Sequence, residues 1–137
     1  MDKERIDGFR SAFAPGETLF WQVPAAARER MAFYSENLPR LFSEKITAVF
    51  AVSDHYALEF MRFLQGQGIR VPEDVQIIGF DNIEFSQYCE PSLSTMQQPT
   101  FDMGAKAVEL LTGIIEKRDP VQPERLIPKL LMRKTTR

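Results

Sequence analysis

Apolar and polar positions along the chain switch between two periods, and the switches mark its elements. Glu4 to Phe13 sets Ile6, Phe9 and Phe13 on one helical face with charges on the other. Pro15-Gly16 stops that helix, because proline disfavours the helical region before it and glycine accepts positive φ. Thr18 to Val23 is short, β-branched and aromatic, the composition of a strand. Pro24 suits the first turn of a helix from Ala25 to Phe42, whose apolar set is Ala27, Met31, Tyr34, Leu38 and Leu41. Pro39 should bend or shorten that helix, since it removes a donor and crowds the preceding turn.

Thr47 to Val52 is a nearly continuous apolar run, the pattern of a strand buried on both faces. Ser53-Asp54 offers a cap for the helix from His55 to Gln67, with Ala57, Phe60, Met61 and Leu64 as its buried stripe. Gly68 is a left-handed stop. Val75 to Phe80 is a second buried strand, running into a polar, aromatic loop from Asp81 to Pro91. Leu93 to Gln97 is extended, and the helix from Thr100 to Lys117 has the stripe Met103, Ala107, Leu110, Leu111 and Ile114. Arg125 to Met132 reads as a last strand, with Pro128 marking it as an edge. Helices and buried strands alternate throughout, so the fold class is α/β, a parallel sheet with crossover helices.

Composition removes several classes. The 137 residues carry 17 Lys+Arg against 19 Asp+Glu, a formal charge of −2, with 11 Phe. That is too aromatic and too nearly neutral for a disordered tail. No apolar run reaches the ~18–20 residues that span a bilayer. The single cysteine, Cys89, makes no internal disulfide and fits a reducing, cytoplasmic compartment. Met1 to Arg5 is charged with no apolar stretch behind it, so no export signal is visible.

Catalysis has little to stand on. His55 is the only histidine and sits in a first helical turn, where a solvated or structurally paired role is expected. No His, Cys or carboxylate cluster has metal-ligand spacing, and no glycine-rich phosphate loop is present, so neither metal nor cofactor is expected. Basic residues are spread rather than striped, and Arg133-Lys134 with Arg137 reads as a solvated tail.

Functional positions are sought instead after the buried strands, because ligands of open parallel sheets bind outside the carboxyl ends. Trp21, Ser53-Asp54 and Asp81-Asn82 occupy those ends. A carboxylate, an amide, a hydroxyl and an indole on one edge suit a polyhydroxylated ligand, the carboxylate accepting hydroxyl protons and the indole stacking on a sugar face. Equally, Asp54 can cap its helix, Asn82 can hold a turn and Trp21 can be core.

The run Gly68-Ile69-Arg70-Val71-Pro72-Glu73-Asp74-Val75-Gln76-Ile77-Ile78-Gly79-Phe80-Asp81-Asn82 resembles the hallmark of the LacI/GalR family of bacterial transcription regulators. Other signatures flank it in order. Thr47 to Leu58 is similar to the family's strand, Asn-Asp and helix segment; Pro91 to Pro99 to its Pro-x-Leu-Thr-Thr-x-x-Gln-Pro crossover; and Glu4 to Phe9 to its Arg-x-x-Gly-Phe helix start. The resemblance implies part of a two-lobed, periplasmic-binding-protein-like fold: residues 1–98 and 120–137 in the C-terminal lobe, 99–119 as a helix of the N-terminal lobe, and no DNA-reading headpiece within the chain.

By the same resemblance Arg5 and Asp81 contact the effector, Trp21 or Phe20 stacks on it, and Ser53 stands where the family often has Asn. Asp54 is a helix cap, and Leu58 and Tyr88 lie near a dimer face. The implied function is effector sensing, of a sugar or similar small molecule, in a homodimeric repressor that meets DNA through its headpiece. A periplasmic solute-binding protein with the same cleft is the alternative, and an α/β enzyme the third reading. A piece of that fold should also expose sheet edges and apolar surface, and so dimerise or exchange elements.

Overall fold

A computed structural model describes residues 2–13, 18–117 and 124–137. Helix α1 spans Asp2–Ser11, α2 Ala27–Ser43, α3 Asp54–Gly66 and α4 Thr100–Ile115; strands are β1 Ala48–Phe50, β2 Gln76–Asp81, β3 Ser94–Gln97 and β4 Lys129–Leu131. The helix stop expected at Pro15-Gly16 and the 119/120 lobe boundary fall outside the described residues.

The sheet has the order β1-β2-β3-β4; β1, β2 and β3 run parallel, and β4 is antiparallel to β3. β4 is short and lies at the edge directly after Pro128, where a missing backbone donor costs nothing. Period-2 alternation assigns the two faces. Val49, Ile77, Gly79, Leu93 and Thr95 look toward α3, and Phe50, Ile78 and Phe80 toward α1. On the first side Ile77 and Leu93 pack with Tyr34 and Leu41 of α2 and Ala57, Phe60, Met61 and Leu64 of α3, all buried. Each fully buried Leu, Ile or Phe contributes about 1.5–3 kcal/mol. On the other side the Phe9 ring of α1 stacks on Phe50, centroids 5.3 Å apart.

Local signals behave unevenly. α3 ends as expected, with Gly68 at φ 75°, its N–H on the Gln65 carbonyl and the Ile69 N–H on that of Leu64, both at 3.0 Å. Pro39 does not shorten α2, which runs on to Ser43 with Tyr34 and Leu41 buried on either side of it. The strand expected from Thr18 to Val23 does not form: residues 18–24 join no sheet, and Trp21 and Val23 pack against the core instead. Propensity without a neighbour supplying ladder hydrogen bonds makes no strand.

The stripe of α4 also departs from expectation. Leu110 is half-buried, but Met103, Ala107, Leu111 and Ile114 are exposed, as nothing among the described residues covers that face.

Candidate functional site

The ends of the three parallel strands converge on Asp81. It closes β2 at φ 119°, and Asn82 follows at φ 54°. For a residue with a Cβ, sparsely populated backbone of this kind costs on the order of 1–3 kcal/mol. Alternation alone would send Asp81 after Ile77 and Gly79 to the α3 side; its carboxylate instead meets α1. Arg5 Nη2 donates to Asp81 Oδ1 at 3.2 Å, and Nη1 donates to the Val52 carbonyl beyond β1 at 2.6 Å. The guanidinium carbon lies 4.0 Å from the centre of the Phe80 ring. Beyond β3, Gln98 Nε2 donates to the same Asp81 Oδ1 at 2.7 Å.

The Arg5 and Asp81 side chains are 10% and 27% exposed, shielded yet reachable. Two donors occupy Oδ1, and among the described residues none sits on Oδ2. That oxygen is the acceptor available to a hydroxyl or ring N–H, a bond to a charged group being worth about 1.5–3 kcal/mol.

The structure relocates other candidates. Asp54 is not a helix cap: Ser53 is the N-cap residue, with no side-chain capping bond. The fully buried Asp54 carboxylate accepts the Ile83 N–H at 2.9 Å and the Thr95 hydroxyl at 2.5 Å, joining α3 to the sheet edge. Trp21 stands edge-on to Phe33 and Phe60, between α2 and α3, with its indole N–H buried and without a partner among the described residues. Phe20 lies under the Arg10 guanidinium and edge-on to Phe9. The ring beside the Arg5–Asp81 pair is therefore Phe80. Tyr88 is exposed, and Leu58 packs partly on the core.

Arg133 is no solvated tail. It donates to Asn82 Oδ1 at 2.7 Å, Ser86 Oγ at 2.9 Å and the Leu93 carbonyl at 2.8 Å, bracing the turn after Asp81. Thr135 is buried between β2 and β3, taking Ile77 N–H on its carbonyl.

A match to the periplasmic binding protein-like domain extends over residues 3–136. The chain belongs to that family. Its relatives include LacI family transcriptional regulators. The HTH-type transcriptional repressor PurR of Vibrio cholerae is 36% identical over 120 residues, covering 85% of this chain and 36% of that repressor. A LacI family transcriptional regulator from Enterococcus faecium, solved with bound ribose, has a TM-score of 0.80 at 28% identity, over 98% of this chain and 51% of its own. One from Arthrobacter sp. FB24, in complex with lactose, has a TM-score of 0.66 at 32% identity, over 85% and 42%. The chain thus spans about a third to a half of the length of these relatives.

This family member carries a second polar feature. Arg30 of α2 grips Glu59 of α3 through Nε and Nη2, at 2.6 and 2.7 Å, and the Tyr34 hydroxyl adds a bond at 3.1 Å. The hydrogen bond from Arg30 holds the Glu59 carboxyl below its ordinary range, while burial and Glu59 push the Tyr34 phenol upward. Arg30 and Glu59, with Ser53, His55 and Tyr56, line an open cleft of about 400 Å³. Ser53 thus faces this cleft and makes no bond to Arg5 or Asp81. Among the described residues, no helix is long and apolar enough to cross a membrane.

Proposed function

We propose that the chain is the effector-sensing portion of a LacI-type bacterial transcription regulator, taking a sugar or similar polyol at Asp81. The observation that carries this is the Asp81 carboxylate, pinned at one oxygen by Arg5 and Gln98 with the other open at the edge where three strands end. Ribose and lactose, held by two LacI family regulators of similar fold, are the first ligands to try. Residues 99–119 would belong to an N-terminal lobe and the rest to the C-terminal lobe. In the intact protein a ligand between lobes would favour one lobe angle, and its differential affinity for the two arrangements would shift operator binding at a headpiece.

Homodimerisation through the surface around Leu58 and Tyr88, and a cytoplasmic location, follow from the same reading. The relatives' description as transcription regulators favours it over an uptake-system binding protein. Calorimetric titration of ribose and lactose into the full-length protein, wild type and Asp81→Ala, tests the assignment. Binding weakened at least tenfold by Asp81→Ala is expected; equal affinity would sink the role given to Asp81.

A further inference from the structure

Two successive backbone amides after Asp81 are caught by one buried side-chain pair. The Thr95 hydroxyl donates to Asp54 Oδ1 at 2.5 Å, which leaves Thr95 Oγ1 free to accept the Asn82 N–H at 3.3 Å. The other carboxylate oxygen, Asp54 Oδ2, accepts the Ile83 N–H at 2.9 Å. Asp54 and Thr95 are each fully buried, so no water competes for these bonds. Register places Thr95 opposite Gly79, two residues before Asp81, and a side chain at Gly79 would occupy the space of Asp54 Oδ1. These anchors hold the peptide groups on either side of Asn82, directly after Asp81, and both residues have positive φ. Asp81 and Asn82 have no glycine to relieve the conformation, so something outside the turn must hold it.

We infer that the Thr95–Asp54 pair is a positioning device for effector binding: by fixing the Asn82 and Ile83 amides it holds the backbone turn that delivers the Asp81 carboxylate to Arg5 and the ligand. Neither residue touches the ligand; both act through Asp81. The hydroxyl of Thr95 is essential because it must donate and accept at once, which valine cannot do and serine can. The inference rests on the reading of Asp81 as the ligand acceptor.

The test titrates D-ribose and lactose into the intact protein that carries this chain, as wild type, Thr95→Val and Thr95→Ser, with backbone amide NMR on each. Thr95→Val should shift the Asn82 and Ile83 amide resonances and weaken sugar binding about tenfold, the effect of losing one charge-assisted network bond. Thr95→Ser should stay within about twofold of wild type, since the donor and acceptor are kept. A purely structural threonine would lower the unfolding midpoint without this split in affinity among folded variants. If Thr95→Val does not fold, Asp54→Asn replaces it, keeping the volume but turning an amide donor toward Thr95; the same amide shifts and at least threefold weaker binding are expected. Shifted amides with unchanged affinity overturn the positioning role alone. An intact, two-lobed wild-type protein that binds neither sugar overturns the reading of ribose or lactose as effector and the inference with it.

Discussion

Replacing Gly79 by alanine asks how rigidly the Asp54 carboxylate is held. Built on β2, the added methyl carbon would collide with Asp54 Oδ1 and lie 3.1 Å from Leu93 Cδ2. Backbone conformation is not the obstacle, because Gly79 is in regular register with Thr95 and has no positive φ. The carboxylate cannot simply swing away, as each oxygen accepts a bond, from Ile83 N–H and from the Thr95 hydroxyl. Losing one of those bonds costs about 1.5–3 kcal/mol. Moving the strand instead carries an overpacking cost of about 1–3 kcal/mol. The two routes together span about 1–3 kcal/mol, and for a domain of this size a Tm lowered by roughly 3–15 °C. Urea unfolding can be followed by the single tryptophan, Trp21, whose ring lies against Phe33 and Phe60. In an Asp54→Ala background the colliding oxygen is gone, so the same alanine should cost less than about 1 kcal/mol more. Equal penalties in both backgrounds would refute the steric argument.

Other consequences are open to measurement. Gln98→Leu removes one of the two donors on Asp81 Oδ1 and should weaken sugar binding about threefold to tenfold by calorimetry, with unchanged affinity counting against the pinned carboxylate. Acid should destabilise the fold: Arg30 lowers the Glu59 carboxyl, and the Arg70 pair lowers that of Asp74 to about 2. A depressed carboxyl stabilises above its unfolded value, near 4, and that contribution disappears as pH falls toward 2, so urea midpoints should drop across that window. Ile114→Glu on the exposed face of α4 should leave the unfolding free energy of the unassociated chain within about 0.5 kcal/mol of wild type, whereas a loss above about 2 kcal/mol would mean that face is covered within the chain. With that apolar face exposed and, among the described residues, the outer edges of β1 and β4 unpaired, light scattering at micromolar concentration should show associated chains, and a stable monomer would contradict this.

What the chain discloses in one dimension is governed by whether the deciding contact is local. The strand around Ile77, the α3 stripe and the Gly68 stop follow from periodicity and one backbone conformation, whereas the apolar run from Thr47 to Val52, read as buried on both faces, forms the short, half-exposed edge strand β1. Asp81 is legible because it ends a buried strand inside a distinctive motif. Asp54 could be read as important but not for the right reason, since its partners Ile83 and Thr95 are 29 and 41 residues away. Gln98 and Arg133 were not legible as site residues: a polar side chain in a crossover and a basic one near the end of the chain look solvated until the fold brings them to Asp81 and Asn82. The aromatic pattern from Thr18 to Val23 has strand composition, yet Trp21 is held by rings from two helices. Period 3–4 on α4 marks an apolar face correctly and cannot say what lies against it.

The site is tested most directly by a crystal structure of the intact protein with ribose or lactose bound. A sugar hydroxyl within hydrogen-bond distance of Asp81 Oδ2, with Arg5 and Gln98 still on Oδ1, is the predicted result. A sugar seated elsewhere, such as the cleft between Arg30 and His55, with Asp81 untouched, would contradict it.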